Sequence, residues 1–383
     1  LFIFFIFQSI NKIFKCLFIW IACLFLILTI FLSVAPCKDN EGLSQEDFIK
    51  ISENGFGDPL NSYAWSMAWF KGRLYVGTGR DFICVGRWIR KLKGTIVDGP
   101  LQDAVECLEN PLDFPENFRA EIWRYSNEGN WERVYKAPLV TITVYGKEYI
   151  LPRDFGYRGM AVFKDSNGQE SLFVSTYSPP GVANILQTTD GINFTETNPY
   201  VPGYPAIFKE ITSFRSLITF KGKLYMSPTS SSGNGNISNV VRVFESENPA
   251  TGIWHPVSRN RFGKPDNLTI FELAVFNNYL YAGTGNAKHG FQIWKTNAEG
   301  DKIPYHWILI IDKGAGRGPE NEGAISMCGF KNYLYVGSGI QHGGRDFENN
   351  VRLSGAELIR IKPDDTWELV VGKRRVSSGN MIH

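Results

Sequence analysis

Ten residues, FNNYLYAGTG from Phe276 to Gly285, recur almost unchanged along this 383-residue chain, and no other feature restricts its fold so tightly. The related phrases are FKGRLYVGTG at Phe70, FKGKLYMSPT at Phe220 and FKNYLYVGSG at Phe330, with a looser version, FKDSNGQESLFVST, at Phe163. The steps between the opening phenylalanines are 93, 57, 56 and 54 residues. Three nearly equal steps mark one repeated supersecondary unit, which buries its apolar faces only against its neighbours. The long first step places roughly 40 extra residues in the first copy.

Each copy carries four strand-like runs. In the fourth they are Glu272–Phe276, Tyr279–Thr284, Phe291–Thr296 and His306–Ile311, apolar in alternation or in short runs. Lys71-Gly72, Lys221-Gly222, Asn277-Asn278 and Lys331-Asn332 join first strand to second. Gly and Asn tolerate the positive φ that two-residue hairpin turns require. An aromatic content of 14%, with 38 glycines and 19 prolines, suits short strands and tight turns. Four antiparallel strands repeated at this length predict an all-β fold, the β-propeller. A lone sheet exposes two faces; radial packing buries them, and the repeated Phe, Tyr and Trp become the seams between blades.

The predicted blades span about 56–136, 152–198, 209–258, 262–312 and 319–372, inside a propeller domain at 56–376 with an insertion at 81–118 in blade one. Residues 38–55 read as a linker and 377–383 as the start of a further connection. At this spacing a sixth Phe is due just after His383. Five recognisable blades therefore predict an incomplete ring of six or seven, open between the first and the fifth.

The phrase LYVGTG followed by an Ile-Trp strand is similar to the kelch pattern, with Gly77-Thr78-Gly79 in place of the adjacent kelch double glycine. The hairpin TTDGINF, Thr188 to Phe194, resembles a degenerate Asp box of the sialidase-type BNR propellers. It lacks the spacer between Asp190 and Gly191 and ends in Phe194 rather than Trp. From about Phe56 to Val371 the chain thus resembles the kelch-like and BNR-like β-propellers. The resemblance implies a fold; Asp boxes are structural turns in that family and imply nothing direct about activity.

The formal net charge of +2 suggests neither nucleic acid nor an anionic membrane surface as a partner. The N-terminus differs in kind. No charge interrupts Cys16 to Cys37, and Lys12 and Lys15 precede it. This hydrophobic helix either spans a bilayer or acts as a secretory signal ending at Ser33-Val34-Ala35. Residues 1–37 thus predict a membrane-anchored or secreted protein, in contact with the membrane if uncleaved. Export implies an oxidising compartment, so Cys84 and Cys107, which share the insertion, are expected to pair. No two cysteines have the Cys-x-x-Cys spacing of a zinc or redox site.

Two further series carry the candidate site. Nine residues before the marker Phe stand Asn61, Asp154, Asn267 and Asn321, each two residues after a proline, while the third copy breaks the rule with Ile211. Such side chains cap backbone amides ahead of a strand, or else ring the central channel and face a cation or polar ligand; capping is the stronger reading. Five residues before the marker stand Trp65, Arg158, Arg215, Phe271 and Ile325, with Glu272 one step on. Adjacent channel arginines predict a clamp for a carboxylate or sulfate, unless they pair with acids of neighbouring blades. His289, His342 and Arg345 lie in equivalent loops of the fourth and fifth copies. Two such histidines without a carboxylate at fixed spacing predict solvated loops rather than a metal site. The insertion holds Arg87, Arg90, Lys91 and Lys93 around Trp88, then an acidic half. It reads as a lid over an anionic ligand or as two self-pairing halves.

No metalloprotease, nucleophile-elbow, P-loop or dinucleotide motif occurs, so no catalytic residue or cofactor is assigned. The leading expectation is an exported or membrane-anchored propeller that binds a glycan or protein on the face bearing the insertion. One alternative is a glycan-acting hydrolase or lyase with its site in the central depression. Another is a protein-interaction scaffold.

Overall fold

The computed structural model describes residues 45–92, 106–107, 110–126, 129–144, 146–179, 181–229, 231–232, 235–236, 239–300, 302–340 and 355–372. The apolar segment at 1–37 and the connection at 377–383 lie outside them, as do His342 and Arg345. Among the described residues no helix is long and apolar enough to cross a membrane. A short unit ending at Ile51 holds one 3-10 turn, Gln45–Asp47; the rest of the chain forms a second unit.

That second unit is a succession of antiparallel sheets. Blade one comprises β1 (Asn61–Phe70), β2 (Arg73–Arg80), β3 (Glu121–Tyr125) and β4 (Trp131–Lys136), each strand paired to the next. A hairpin of β5 (Leu139–Val144) and β6 (Lys147–Pro152) follows. The sequence reading had left this stretch between blades one and two unassigned. Blade two is β7 (Gly156–Lys164), β8 (Glu170–Tyr177), β9 (Ile185–Thr188) and β10 (Thr195–Glu196). Blade three starts with β11 (Ser213–Phe220) and β12 (Lys223–Thr229). A small hairpin, β13 (Ser231–Ser232) with β14 (Gly235–Asn236), precedes its outer strands β15 (Phe244–Ser246) and β16 (His255–Pro256). Blade four is β17 (Thr269–Phe276), β18 (Tyr279–Gly285), β19 (Ile293–Thr296) and β20 (Ile308–Ile311). Blade five is β21 (Gly323–Phe330), β22 (Tyr333–Gly339), β23 (Leu358–Ile361) and β24 (Trp367–Val371). The innermost strands pack in the order β1, β7, β11, β17, β21. This is a β-propeller.

The repeated phrase is explained by the seams. In each of four apolar clusters the marker Phe of one blade meets two side chains of the next. Phe70 joins Met160 and Leu172; Phe163 joins Leu217 and Leu224; Phe220 joins Leu273 and Leu280; Phe276 joins Met327 and Leu334. Tyr75, Phe173, Tyr225 and Tyr281 accompany the marker from the second strand. These four markers are at most 8% exposed, and each such burial contributes about 1.5–3 kcal/mol.

The insertion contributes buried residues to the core. It opens with helix α1 (Phe82–Leu92) and closes with a 3-10 turn, Pro115–Phe118. Val85 and Phe118 are fully buried beside Leu60, Phe155 and Tyr177. Cys84 and Cys107 are joined in a disulfide with 5.6 Å between their Cα atoms.

Candidate functional site

In all five inner strands the ladder to the second strand skips one residue at the same place. The skips fall between Ala64 and Ser66, Tyr157 and Gly159, Phe214 and Ser216, Ile270 and Glu272, and Ala324 and Ser326. The residues skipped are Trp65, Arg158, Arg215, Phe271 and Ile325. A bulge leaves its extra residue unpaired and re-aims the side chain. Repetition on five adjacent strands makes one row of bulged side chains along the innermost layer.

What lies beneath each bulge differs. A Cβ on Gly79 or Gly156 would come within 2.7 or 2.4 Å of the Trp65 side chain, so only glycine lets that indole lie flat. Gly285 and Gly323 stand likewise under Phe271, at 2.4 and 2.7 Å. In blades two and three the position of Gly79 and Gly285 belongs to Tyr177 and Thr229, and there the bulged residue is an arginine.

The Arg158 guanidinium lies over Trp65 at 4.6 Å, Tyr177 at 5.4 Å and Phe82 at 5.8 Å, and its Nη1 donates to Ser213 Oγ at 3.4 Å. Arg215 lies 4.3 Å over Phe271 and donates from Nε to the Phe271 carbonyl at 3.2 Å. Aromatic faces attract such cations, but do not neutralise them. Neither guanidinium forms an ion pair with a carboxylate among the described residues; the one acid of an adjacent blade that acts on the pair is Glu272, at longer range, on Arg215. Burial pushes Arg158 down to about 10. Burial and the nearby Arg158 charge hold Arg215 well below the ordinary guanidinium value, with Glu272 partly opposing them. Glu272 takes a bond from Ser216 Oγ at 2.6 Å. Burial nevertheless raises its carboxyl above the usual range, against the opposing pull of Ser216 and Arg215. Arg158, Arg215 and Glu272 thus stand on three consecutive inner strands, as the sequence placed them.

The insertion forms a wall of this site. Phe82, the first residue of α1, meets Trp65 edge-on at 5.0 Å and Tyr177 at 5.6 Å, and Tyr63 stacks on Trp65 at 5.8 Å. Sequence reasoning noted Trp65 only as a member of a series and missed Phe82 and Tyr177. No spacing rule ties an insertion to the strand row it covers.

The Asn members of the polar series brace the turns ahead of the inner strands, the stronger of the two sequence readings, rather than ringing a ligand. Asn61, Asn267 and Asn321 are buried in equivalent networks. Each donates to a carbonyl of the preceding turn, Gly55 at 3.0 Å, Arg261 at 3.1 Å or Gly314 at 2.9 Å. Each also donates to the residue opening its blade's third-strand segment, Glu121 at 3.0 Å, Gln292 at 2.8 Å or Glu357 at 2.7 Å. Their Oδ1 atoms accept from Arg80, Asn286 and Ser338. The turns hold paired left-handed residues such as Arg261-Phe262, an unfavourable backbone that these bonds brace. Asp154 is buried too, accepting from Ser178 at 2.8 Å and from Arg153 at 2.6 Å. Every polar atom of the asparagine amides is used within its own blade.

His289 sits half-exposed, 3.2 Å from Asp266 Oδ2, and no group of three metal-ligating side chains occurs among the described residues. The Asp-box-like hairpin is a turn: Asp190 accepts from the amides of Ile192 and Asn193, both at 2.8 Å, which hold its carboxyl below the usual range. A cavity of about 460 Å³ lies against the lead-in to β1, lined by residues between Asn54 and Ala64 that include Asn61 but neither arginine.

No protein-family profile and no curated protein matches the chain. Solved structures with a similar course include a glycoside hydrolase family 43 arabinoxylan arabinofuranohydrolase from Bacillus subtilis (14% identity, TM-score 0.41, 82% of this chain and 67% of that one). An α-L-arabinofuranosidase from Clostridium thermocellum aligns at 12% identity and TM-score 0.36, over 80% of this chain and 93% of that one. A puromycin hydrolase aligns at 10% identity and TM-score 0.43 over 80% of this chain, which spans 39% of that enzyme's length.

Proposed function

We propose that this propeller acts on glycans at its axis, gripping an acidic sugar unit between Arg158 and Arg215. The observation that carries the reading is the pair itself. Two partly buried guanidiniums stand on adjacent inner strands with no ion pair to a carboxylate among the described residues; burial lowers both, and the Arg158 charge lowers Arg215 further against a partial offset from Glu272. A bound carboxylate or sulfate supplies the missing charge, and planar guanidinium forks suit such oxyanions. The rings of Tyr63, Trp65 and Phe82 beside Arg158 offer apolar faces against which a sugar ring packs.

A second reading has this site cleave the glycan. It is favoured by Glu272, whose raised carboxyl remains protonated to higher pH and can donate to a leaving oxygen. The arginine pair calls for an anion whether or not the glycan is then cleaved, so binding is the primary assignment. We further propose an extracytoplasmic setting, because the Cys84–Cys107 disulfide persists in oxidising compartments. The kelch-like and BNR-like ancestry of the blades is likewise a proposal, supported by the phrase and the Asp190 turn.

The test is a panel of uronate-bearing, sulfated and neutral polysaccharides, with binding and reducing-end release measured in parallel. Retention of acidic glycans alone supports the assignment. Release of reducing ends that Glu272→Gln abolishes selects the hydrolytic reading. Equal retention of neutral and acidic glycans defeats the arginine clamp.

A further inference from the structure

The two ends of the blade series are matching halves of one kind of seam. Blade five carries the outgoing half. Phe330 and Tyr335 occupy the positions of Phe276 and Tyr281, yet Phe330 is 58% exposed where the other four markers are at most 8%. Cys328, on the same side at the position of the buried Ala161 and Ala274, is exposed and free. Blade one carries the incoming half. Met67 and Leu74 occupy the positions of Met327 and Leu334; Met67 is 58% and the adjacent Trp69 64% exposed. Every consecutive pair of inner strands packs closely, whereas β21 and β1 make marginal contact at most.

We propose that these faces bind a further four-stranded blade, docked on Phe330 and Tyr335 through a Leu pair like that of blade four. The established seams define the partner's chemistry. Blade four presents Leu273 and Leu280 to Phe220 and Tyr225, and blade five offers the same Phe and Tyr. On its far side blade four presents Phe276 and Tyr281 to Met327 and Leu334, and blade one offers the same Met and Leu. A sheet with the side chains of blade four therefore fits both open faces. A second whole copy of the chain does not fit in this way. Continuing the seam would wind its remaining blades about the same axis, into space the first copy fills.

The test extends the full chain after His383 with a second copy of residues 259–312 and follows thiol labelling at Cys328 by peptide mapping. In the unextended chain Cys328 reacts like a free surface thiol at every protein concentration. In the extended chain its labelling slows by about tenfold or more, because the docked blade must open first. Equally fast labelling in a folded extended chain overturns the proposal. So does concentration-dependent protection of the unextended chain, which would mean a second copy covers the face. Should the extension not fold, substitution in the unextended chain decides. Phe330→Ser leaves the melting temperature nearly unchanged, while Phe220→Ser at the covered equivalent lowers it by about 5 °C or more. Equal losses from the two variants overturn the proposal.

Discussion

Replacing Arg158 with Met is expected to stabilise this protein while removing its ligand. A guanidinium held at about 10 pays, in the folded state, on the order of 3 kcal/mol for its charge, at about 1.4 kcal/mol per tenfold change in proton affinity. The side chain is partly exposed, and solvent screening reduces that figure to about 2 kcal/mol. Met keeps the aliphatic stem against Trp65 and Tyr177 but forfeits the cation–ring attraction, about 1 kcal/mol. The net gain is about 1 kcal/mol, a rise of roughly 2–4 °C in melting temperature. Urea titration measures it directly, with Arg158→Lys as a control that retains charge and should gain nothing. The inference is that charge without a counter-ion is kept for a ligand rather than for the fold. A loss of more than about 1 kcal/mol in Arg158→Met would refute it, since the guanidinium would then be structural.

Three further outcomes follow from the same geometry. Affinity for an acidic glycan falls as pH rises through the raised Glu272 value, because the neutral carboxyl leaves the arginine charge unopposed and the carboxylate competes for it. The sign for stability is the same: a raised carboxyl contributes stability fully present below the ordinary Glu value and lost as pH rises through the folded one. Calorimetric titration across pH 4–8 checks both, roughly spanning that window, and a profile unchanged in Glu272→Gln would exclude Glu272 as the titrating group. Asn267→Ala, which strands the Arg261 carbonyl, Gln292 and Asn286, lowers stability by about 2–4 kcal/mol and leaves glycan affinity unchanged; altered affinity with unaltered stability would return it to the site. Cys84→Ser with Cys107→Ser lowers stability by about 3 kcal/mol and weakens binding by releasing the α1 wall, so full affinity in a destabilised protein would detach α1 from the site.

The blades were legible because burial repeats. A Phe that meets the same neighbour in each seam must recur at a fixed interval, and that interval sets the length of each blade and the order of its strands. The arginine pair was legible for the same reason, since equal distances from the marker place Arg158 and Arg215 on equivalent strands. The bulge was not. A skipped residue does not alter the spacing of what surrounds it, so nothing in the chain announces that Trp65, Arg158, Arg215, Phe271 and Ile325 leave the ladder. One hint was present: the second glycine of LYVGTG survives in blades one, four and five and is lost in blades two and three, where the bulged residue is an arginine. The Asn series left two readings open, with capping the stronger, because a buried cap and an exposed ligand group share residue type and position. Only partners distinguish them, and the partners Glu121, Gln292 and Glu357 lie 60, 25 and 36 residues away. The hairpin of β5 and β6 occurs once, and what does not repeat has no register to betray it.

The most direct test of the arginine clamp is crystallographic, with selenate as an anionic probe whose anomalous scattering identifies it without ambiguity. One strong peak is expected to bridge the guanidiniums of Arg158 and Arg215 and to be absent from crystals of Arg215→Met. An empty axis at a selenate concentration that fills other basic sites on the same molecule would contradict it.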